Sequence, residues 1–197
     1  MIPGAAHRAH GIDAIAPSPW IVRWAHLIAP RGSVLDVAAG GGRHARWLAA
    51  RGHRVTAIDR DAAAMAALAD AAETLAADLE NGDWPLAGRR FDAVVVANYL
   101  WRPLFPALFD ALAPGGVLLY ETFAAGNETV GRPRRPEFLL AHGELLAAAE
   151  GLRIVAYEDG FLADPDRFVQ RLAAVRTRGD DASVRHRLAP GTGDAEG

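Results

Sequence analysis

Cysteine and lysine are both absent from this 197-residue chain, so all 21 basic residues are arginine, and serine occurs only as Ser18, Ser33 and Ser183. Without cysteine there is no disulfide framework, thiolate nucleophile, iron–sulfur ligand set or zinc finger. Without lysine there is no Schiff base and no phosphate loop ending in Lys-Ser or Lys-Thr. No serine sits in a Gly-x-Ser-x-Gly elbow, which argues against a hydrolase triad. Also missing is any apolar run near the roughly 20 residues that a membrane-spanning helix requires. Met1 to Ala9 has no apolar stretch behind its charges, so no secretory signal is expected and the cytoplasm is the simplest address. A net charge of −3 and a pI near 6.1 leave no basic footprint for nucleic acid. Arginine in place of lysine, beside abundant alanine, glycine and proline, reads as a coding bias without functional meaning.

What is present suffices for one domain, since a chain of this size buries roughly 70% of its unfolded surface around a single core. From about residue 33 short β-branched runs alternate with Ala- and Leu-rich stretches, the pattern of a mostly parallel sheet covered on both faces. The strands expected are Ser33 to Val37, Arg54 to Ile58, Thr74 to Ala77, Phe91 to Ala97, Gly116 to Thr122, Leu152 to Tyr157 and Phe168 to Arg176. Helices are expected over Arg43 to Arg51, from an Asp61 cap through Ala72, over Pro103 to Leu112 and over Glu144 to Glu150. A Pro114-Gly115-Gly116 turn separates the third helix from the fifth strand. Ahead of the sheet, Ser18-Pro19 is an N-cap and N1 pair for a helix carrying Trp20, Trp24, Leu27 and Ile28 as a core stripe. The organisation read is an arm over 1–17, a domain over 18–178 and a disordered tail over 179–197. His7 and His10 lie in the arm at i, i+3 spacing without a carboxylate partner, so no metal site is expected.

The chemistry concentrates where Val34-Leu35-Asp36-Val37 runs into Ala38-Ala39-Gly40-Gly41-Gly42, after which Arg43 opens a helix. Glycines there permit φ > 0 and a close ligand approach, and free N–H groups at the helix start favour an anion. Gly40, Gly42 and Ala45 also satisfy the dinucleotide fingerprint, with Asp59 at the end of the next strand. Asp36 tips the balance, because dinucleotide-binding strands usually carry an apolar residue there and a carboxylate suits a cationic ligand end.

The run Asp36, Ala38, Gly40, Gly42 resembles motif I of class I S-adenosylmethionine-dependent methyltransferases, with alanine in place of the first glycine. Three more matches follow in order: Asp78-Leu79; Phe91 to Leu100, which resembles motif IV; and Leu112 to Leu118, which resembles the Pro-Gly-Gly turn into strand five. The resemblance implies a Rossmann-like, doubly wound, mostly parallel seven-stranded sheet of order 3-2-1-4-5-7-6 with strand seven antiparallel. It implies S-adenosylmethionine as cofactor and S-adenosylhomocysteine as product, with Asp36 near the methionine amine, the loop around Ala38, Gly40 and Gly42 under the cofactor and Asp59 on the ribose. Asp78 and Leu79 fall to the adenine, and Asn98 at the tip of strand four to methionine and substrate. GGGRHA and AIDRD look most like the tellurite-resistance-type and related small-molecule enzymes.

The function expected is therefore methyl transfer to a small-molecule acceptor by in-line displacement, in a monomer or weak homodimer. Tyr99, His44, Glu121 and Glu128 are the base candidates if the acceptor arrives protonated. Trp101 is a candidate pocket wall. The connection Phe123 to Pro136 is longer than ordinary joints and leaves the ligand-binding edge of the sheet. It reads as a substrate lid, with Asn127, Glu128, Arg132 and Arg134 as contacts and its arginines suited to a carboxylate or phosphate. Two rivals remain: an NAD(P)-dependent oxidoreductase, in which Arg60 meets a 2′-phosphate, and a non-catalytic AdoMet-binding domain.

Overall fold

The computed structural model describes residues 16–179 and 184–189, so His7, His10 and most of the arm and tail lie outside the described residues. Seven strands form one sheet: β1 (Ser33–Val37), β2 (Arg54–Asp59), β3 (Glu73–Ala76), β4 (Phe91–Ala97), β5 (Leu112–Phe123), β6 (Arg153–Leu162) and β7 (Arg167–Val175). Their order is β3-β2-β1-β4-β5-β7-β6, parallel from β3 to β5, with β7 antiparallel to both β5 and β6. The fold is the Rossmann-like methyltransferase arrangement that the motifs imply.

Strand side chains alternate between two cores, which is why the central strands are apolar at nearly every position. Val34, Ala93, Val95, Val117 and Leu119 face one core, where α1 (Pro19–Trp24), α2 (Arg43–Ala49) and α3 (Ala62–Leu68) pack. Leu35, Val37, Val94, Val96, Leu118 and Tyr120 face the other, covered by α4 (Phe105–Asp110) and by α6 (Glu144–Ala148), which follows the short α5 (Asn127–Val130). Ser18 caps α1, its Oγ accepting from the Trp20 amide at 3.1 Å with Pro19 in the first turn, and Trp20, Trp24 and Ile28 are buried as the stripe requires. Among the described residues no helix is long and apolar enough to cross a membrane.

Several boundaries differ from the sequence reading for identifiable reasons. The Pro114-Gly115-Gly116 turn is absorbed into β5, where the register shifts between Phe91 and Ala93 and Gly115 takes φ +82°. β6 runs five residues past the expected end at Tyr157, because it is an edge strand whose half-exposed side chains lack alternation. Pro106 falls in the first turn of α4, where its missing N–H costs nothing, and the preceding Arg102–Leu104 is a 3₁₀ turn. The long connection after β5 holds α5 and a further 3₁₀ turn, Pro136–Phe138.

Candidate active site

The loop after β1 turns by three positive φ angles, at Ala38 (+52°), Gly40 (+53°) and Gly42 (+76°). Gly42 caps α2, and a Cβ there would lie 2.6 Å from Leu68 Cδ1 of α3, so this glycine serves helix packing as well as conformation. A Cβ on Gly40 or Gly41 would meet nothing within 4 Å, so the loop's outer side is open. Ala38 holds the left-handed conformation that favours glycine, which gives the motif's usual glycine its physical reason.

Beneath this loop Asp36 is buried, 1% exposed, and receives the Ala45 amide at the start of α2. Its Oδ2 has no hydrogen-bond partner. Burial pushes the carboxyl up to about 7, with smaller opposing contributions from the Ala45 amide and Arg43. A carboxylate so placed is stabilised by an arriving cation.

A cleft of about 280 Å³ opens over the ends of β1, β2 and β3. Ala38, Asp59, Arg60, Asp78, Leu79 and Tyr99 line it together. Asp59 Oδ2 accepts from the Gly40 amide at 2.8 Å and Oδ1 from the Asp61 amide at 2.9 Å, tying the glycine loop to β2. Asp78 accepts from the Glu80 and Asn81 amides and, at 2.9 Å, from Asn81 Nδ2, which holds its carboxyl below the usual range. Ala77, Glu80 and Phe138 complete the wall.

Residues 34–116 match a family model described as a methyltransferase domain. No protein of curated function matches the chain by sequence. Three solved structures share the fold. TehB from Haemophilus influenzae is 21% identical with a TM-score of 0.63, over 78% of this chain and 60% of that one, so this chain spans well under two thirds of TehB. A SAM-dependent methyltransferase from Methanosarcina mazei is 15% identical with a TM-score of 0.65, over 83% of this chain and 99% of that one. The glycopeptide N-methyltransferase MtfA, complexed with S-adenosyl-L-homocysteine, is 19% identical with a TM-score of 0.54, over 75% of this chain and 84% of that one. Its seven-stranded sheet has the Rossmann-like methyltransferase fold, and the stretch from β1 to the start of β5 matches a methyltransferase domain.

A second cleft of the methyltransferase domain, about 220 Å³, adjoins the first over the ends of β4 and β5 and shares Glu80, Tyr99 and Phe138 with it. Asn98, at φ +57°, lies in this second cleft and its amide donates to the Glu121 carbonyl at 2.8 Å. Sequence reasoning missed Glu80, Thr122, Phe123 and Phe138; the only available signal for Phe138 was an apolar residue in an otherwise polar, Pro-rich connection.

Of the candidate bases, Tyr99 lines both clefts, whereas His44, Glu121 and Glu128 line neither. The Tyr99 hydroxyl is buried without a partner, and burial together with Glu80, Asp78 and Asp59 pushes its pKa far up, so it stays protonated. His44 is 3% exposed and its Nε2 accepts from the Ser18 amide at 3.1 Å; burial and the Arg43 charge lower its pKa to about 4. Its accepting nitrogen is already occupied by the Ser18 amide, and it lines neither cleft. Glu121 is fully buried, with Oε1 accepting from Ser18 Oγ at 2.9 Å and Oε2 3.5 Å from Arg171, which also pairs with Glu158. Its carboxylate is a structural anchor for α1.

The lid residues also depart from expectation. Asn127 is 1% exposed and stitches the connection, donating to the Pro133 carbonyl at 3.1 Å and accepting from the Phe168 amide at 3.2 Å. Glu128 accepts from the Gly126 amide at 2.8 Å. Arg132 and Arg134 are exposed and line neither cleft, Arg134 turning back to the Gly131 carbonyl at 3.3 Å. Trp101 packs against the core beneath α4 and lines neither cleft. The connection is instead pinned by Arg102, which bonds both Glu144 carboxylate oxygens at 2.5 and 2.9 Å and the Glu137 and Leu139 carbonyls at 2.9 and 2.8 Å.

Proposed function

We propose that the chain transfers a methyl group from S-adenosylmethionine to a small-molecule acceptor by in-line displacement. The observation that carries this reading is Asp36: a buried carboxylate oxygen without a partner, directly beneath an open glycine loop, suits the cationic methionine end of this cofactor better than the pyrophosphate that a dinucleotide places over such a loop. In this reading Asp59 receives the ribose hydroxyls and Asp78 and Leu79 border the adenine. Ala38, Gly40 and Gly42 carry backbone along the cofactor, Arg60 closes one side of the adenosine cleft, and Asn98 marks the passage to the acceptor.

When bound, the cofactor supplies a methyl carbon that bonds to the acceptor's lone pair while the sulfur keeps the electrons of the broken C–S bond. The chain's own contribution is then orientation and exclusion of water, which suits a site without reactive Cys, Lys or Ser. With Tyr99 held protonated and His44 and Glu121 committed elsewhere, acceptor reactivity rests on its own lone pair.

Calorimetry with S-adenosylmethionine, S-adenosylhomocysteine and NADP tests the cofactor. Micromolar binding of the first two, with NADP at least about tenfold weaker, a gap of about 1.4 kcal/mol, is expected. Tighter NADP binding would favour the oxidoreductase reading. Binding without any S-adenosylhomocysteine formed across acceptor classes would favour a non-catalytic domain.

A further inference from the structure

We infer that the cleft over β4 and β5 receives an acceptor with an apolar or aromatic body and a positively charged nitrogen, rather than an anion, the methyl passing to a separate atom of that acceptor that carries a lone pair. This rests on the methyltransferase reading and deepens it. Among the described residues the cleft's one charged lining residue is Glu80, half-buried, and no arginine lines it. Its walls carry Tyr99, Phe123 and Phe138, whose ring faces attract a cation within about 6 Å of the centroid. The polar groups that remain are the Asn98 amide, the Thr122 hydroxyl and the unpartnered Tyr99 hydroxyl.

The neighbouring cleft adds to the same field. Asp59 and Asp78 lie close enough, with Glu80, to act on the Tyr99 hydroxyl, against the single cation Arg60. An anionic acceptor entering here meets the Glu80 carboxylate and no cation among the described lining residues, whereas an ammonium meets Glu80 and aromatic faces. The lid arginines do not offset this. Arg132 and Arg134 are exposed, and Arg135 pairs with Glu137 and stacks 5.3 Å from the Phe138 ring centroid without lining either cleft.

The inference is tested with three probes of one shape, benzylammonium, benzyl alcohol and benzoate, titrated into protein saturated with S-adenosylhomocysteine and followed by ligand-observed NMR. Benzylammonium is expected to bind about tenfold or more tightly than benzoate, with benzyl alcohol between them. Glu80→Gln is expected to weaken benzylammonium by about tenfold while leaving benzyl alcohol within about twofold. A circular dichroism spectrum and urea midpoint matching the parent show that this variant is folded. Arg132→Ala and Arg134→Ala are expected to change none of the three. Benzoate binding more tightly than benzylammonium, or an unchanged benzylammonium affinity in Glu80→Gln, overturns the inference. If S-adenosylhomocysteine binds but benzylammonium shows no preference, this inference fails alone; if S-adenosylhomocysteine does not bind, the proposed function fails with it.

Discussion

The Ser18 hydroxyl donates to Glu121 Oε1 at 2.9 Å, joining the start of α1 to the end of β5 across 103 positions of sequence. The same Ser18 gives its amide to His44 Nε2 on α2, and its Oγ caps the Trp20 amide. One small residue thus fastens α1 both to α2, which the glycine loop opens, and to β5. Arg171, 5.0 Å from the Trp20 ring centroid, closes the cluster from β7.

Ser18→Ala is expected to destabilise the protein by about 2 to 3 kcal/mol, because a helix cap worth about 1 kcal/mol is lost and a buried carboxylate oxygen loses its donor. Urea unfolding measures it. A loss below about 0.5 kcal/mol, the range of ordinary surface changes, would show that the cluster is not an anchor.

Asp36 makes stability and cofactor binding respond to pH in opposite directions. Its folded pKa near 7 lies above the ordinary value of 3.8, so the folded state holds the proton more tightly than the unfolded chain. The stability from this group is therefore complete below about pH 4 and lost as pH rises to about 7, by at most about 4 kcal/mol. Affinity for a cationic cofactor needs the ionised form and should rise about tenfold between about pH 6 and pH 8. Asp36→Asn should flatten both profiles; calorimetric affinities and urea midpoints that keep their pH dependence in this variant would assign it to another group.

Asp59→Ala is expected to weaken S-adenosylmethionine by about 1.5 to 3 kcal/mol through loss of a charged acceptor for ribose hydroxyls. The Gly40 and Asp61 amides lose their acceptor as well, so Asp59→Asn, which keeps an oxygen there, should retain more affinity. Cofactor affinity equal to the parent in Asp59→Ala would remove the ribose assignment.

Arg102→Ala is expected to loosen the segment that carries Phe138. Both ends of the Arg102–Glu144 pair are partly exposed, 39% and 24%, so its net worth is about 1 kcal/mol. Amide exchange at Phe138 and Leu139 should accelerate about fivefold, and Arg102→Lys should restore little because it cannot match the forked geometry. Exchange rates unchanged in Arg102→Ala would show that the connection is held by other contacts.

Much of the architecture was legible in the sequence because its signals are local. A strand buried on both faces must be apolar along its length, and Val34 to Val37 and Ala93 to Val96 are so, apart from Asp36. A chain leaving β1 through positive φ angles favours glycine, as at Gly40 and Gly42, with Ala38 the exception. The edge strand β6 was cut short because half-exposed positions carry no period, and α5 was missed because a single turn of helix lacks one as well.

The amino-acid sequence by itself determined the chemistry that is excluded, the α/β alternation and the cofactor loop, since composition, hydrophobic period and turn residues act between near neighbours. The tertiary structure alone decided which polar side chains are free. Asp36 keeps an unpartnered oxygen, while Glu121 binds Ser18 and faces Arg171 and His44 Nε2 accepts from the Ser18 amide, and Phe138 rather than the lid arginines borders the clefts. These outcomes depend on sheet register and on how α1 and the β5 connection fold back. Hydrogen bonds between groups 26 to 103 residues apart exist only once those surfaces meet.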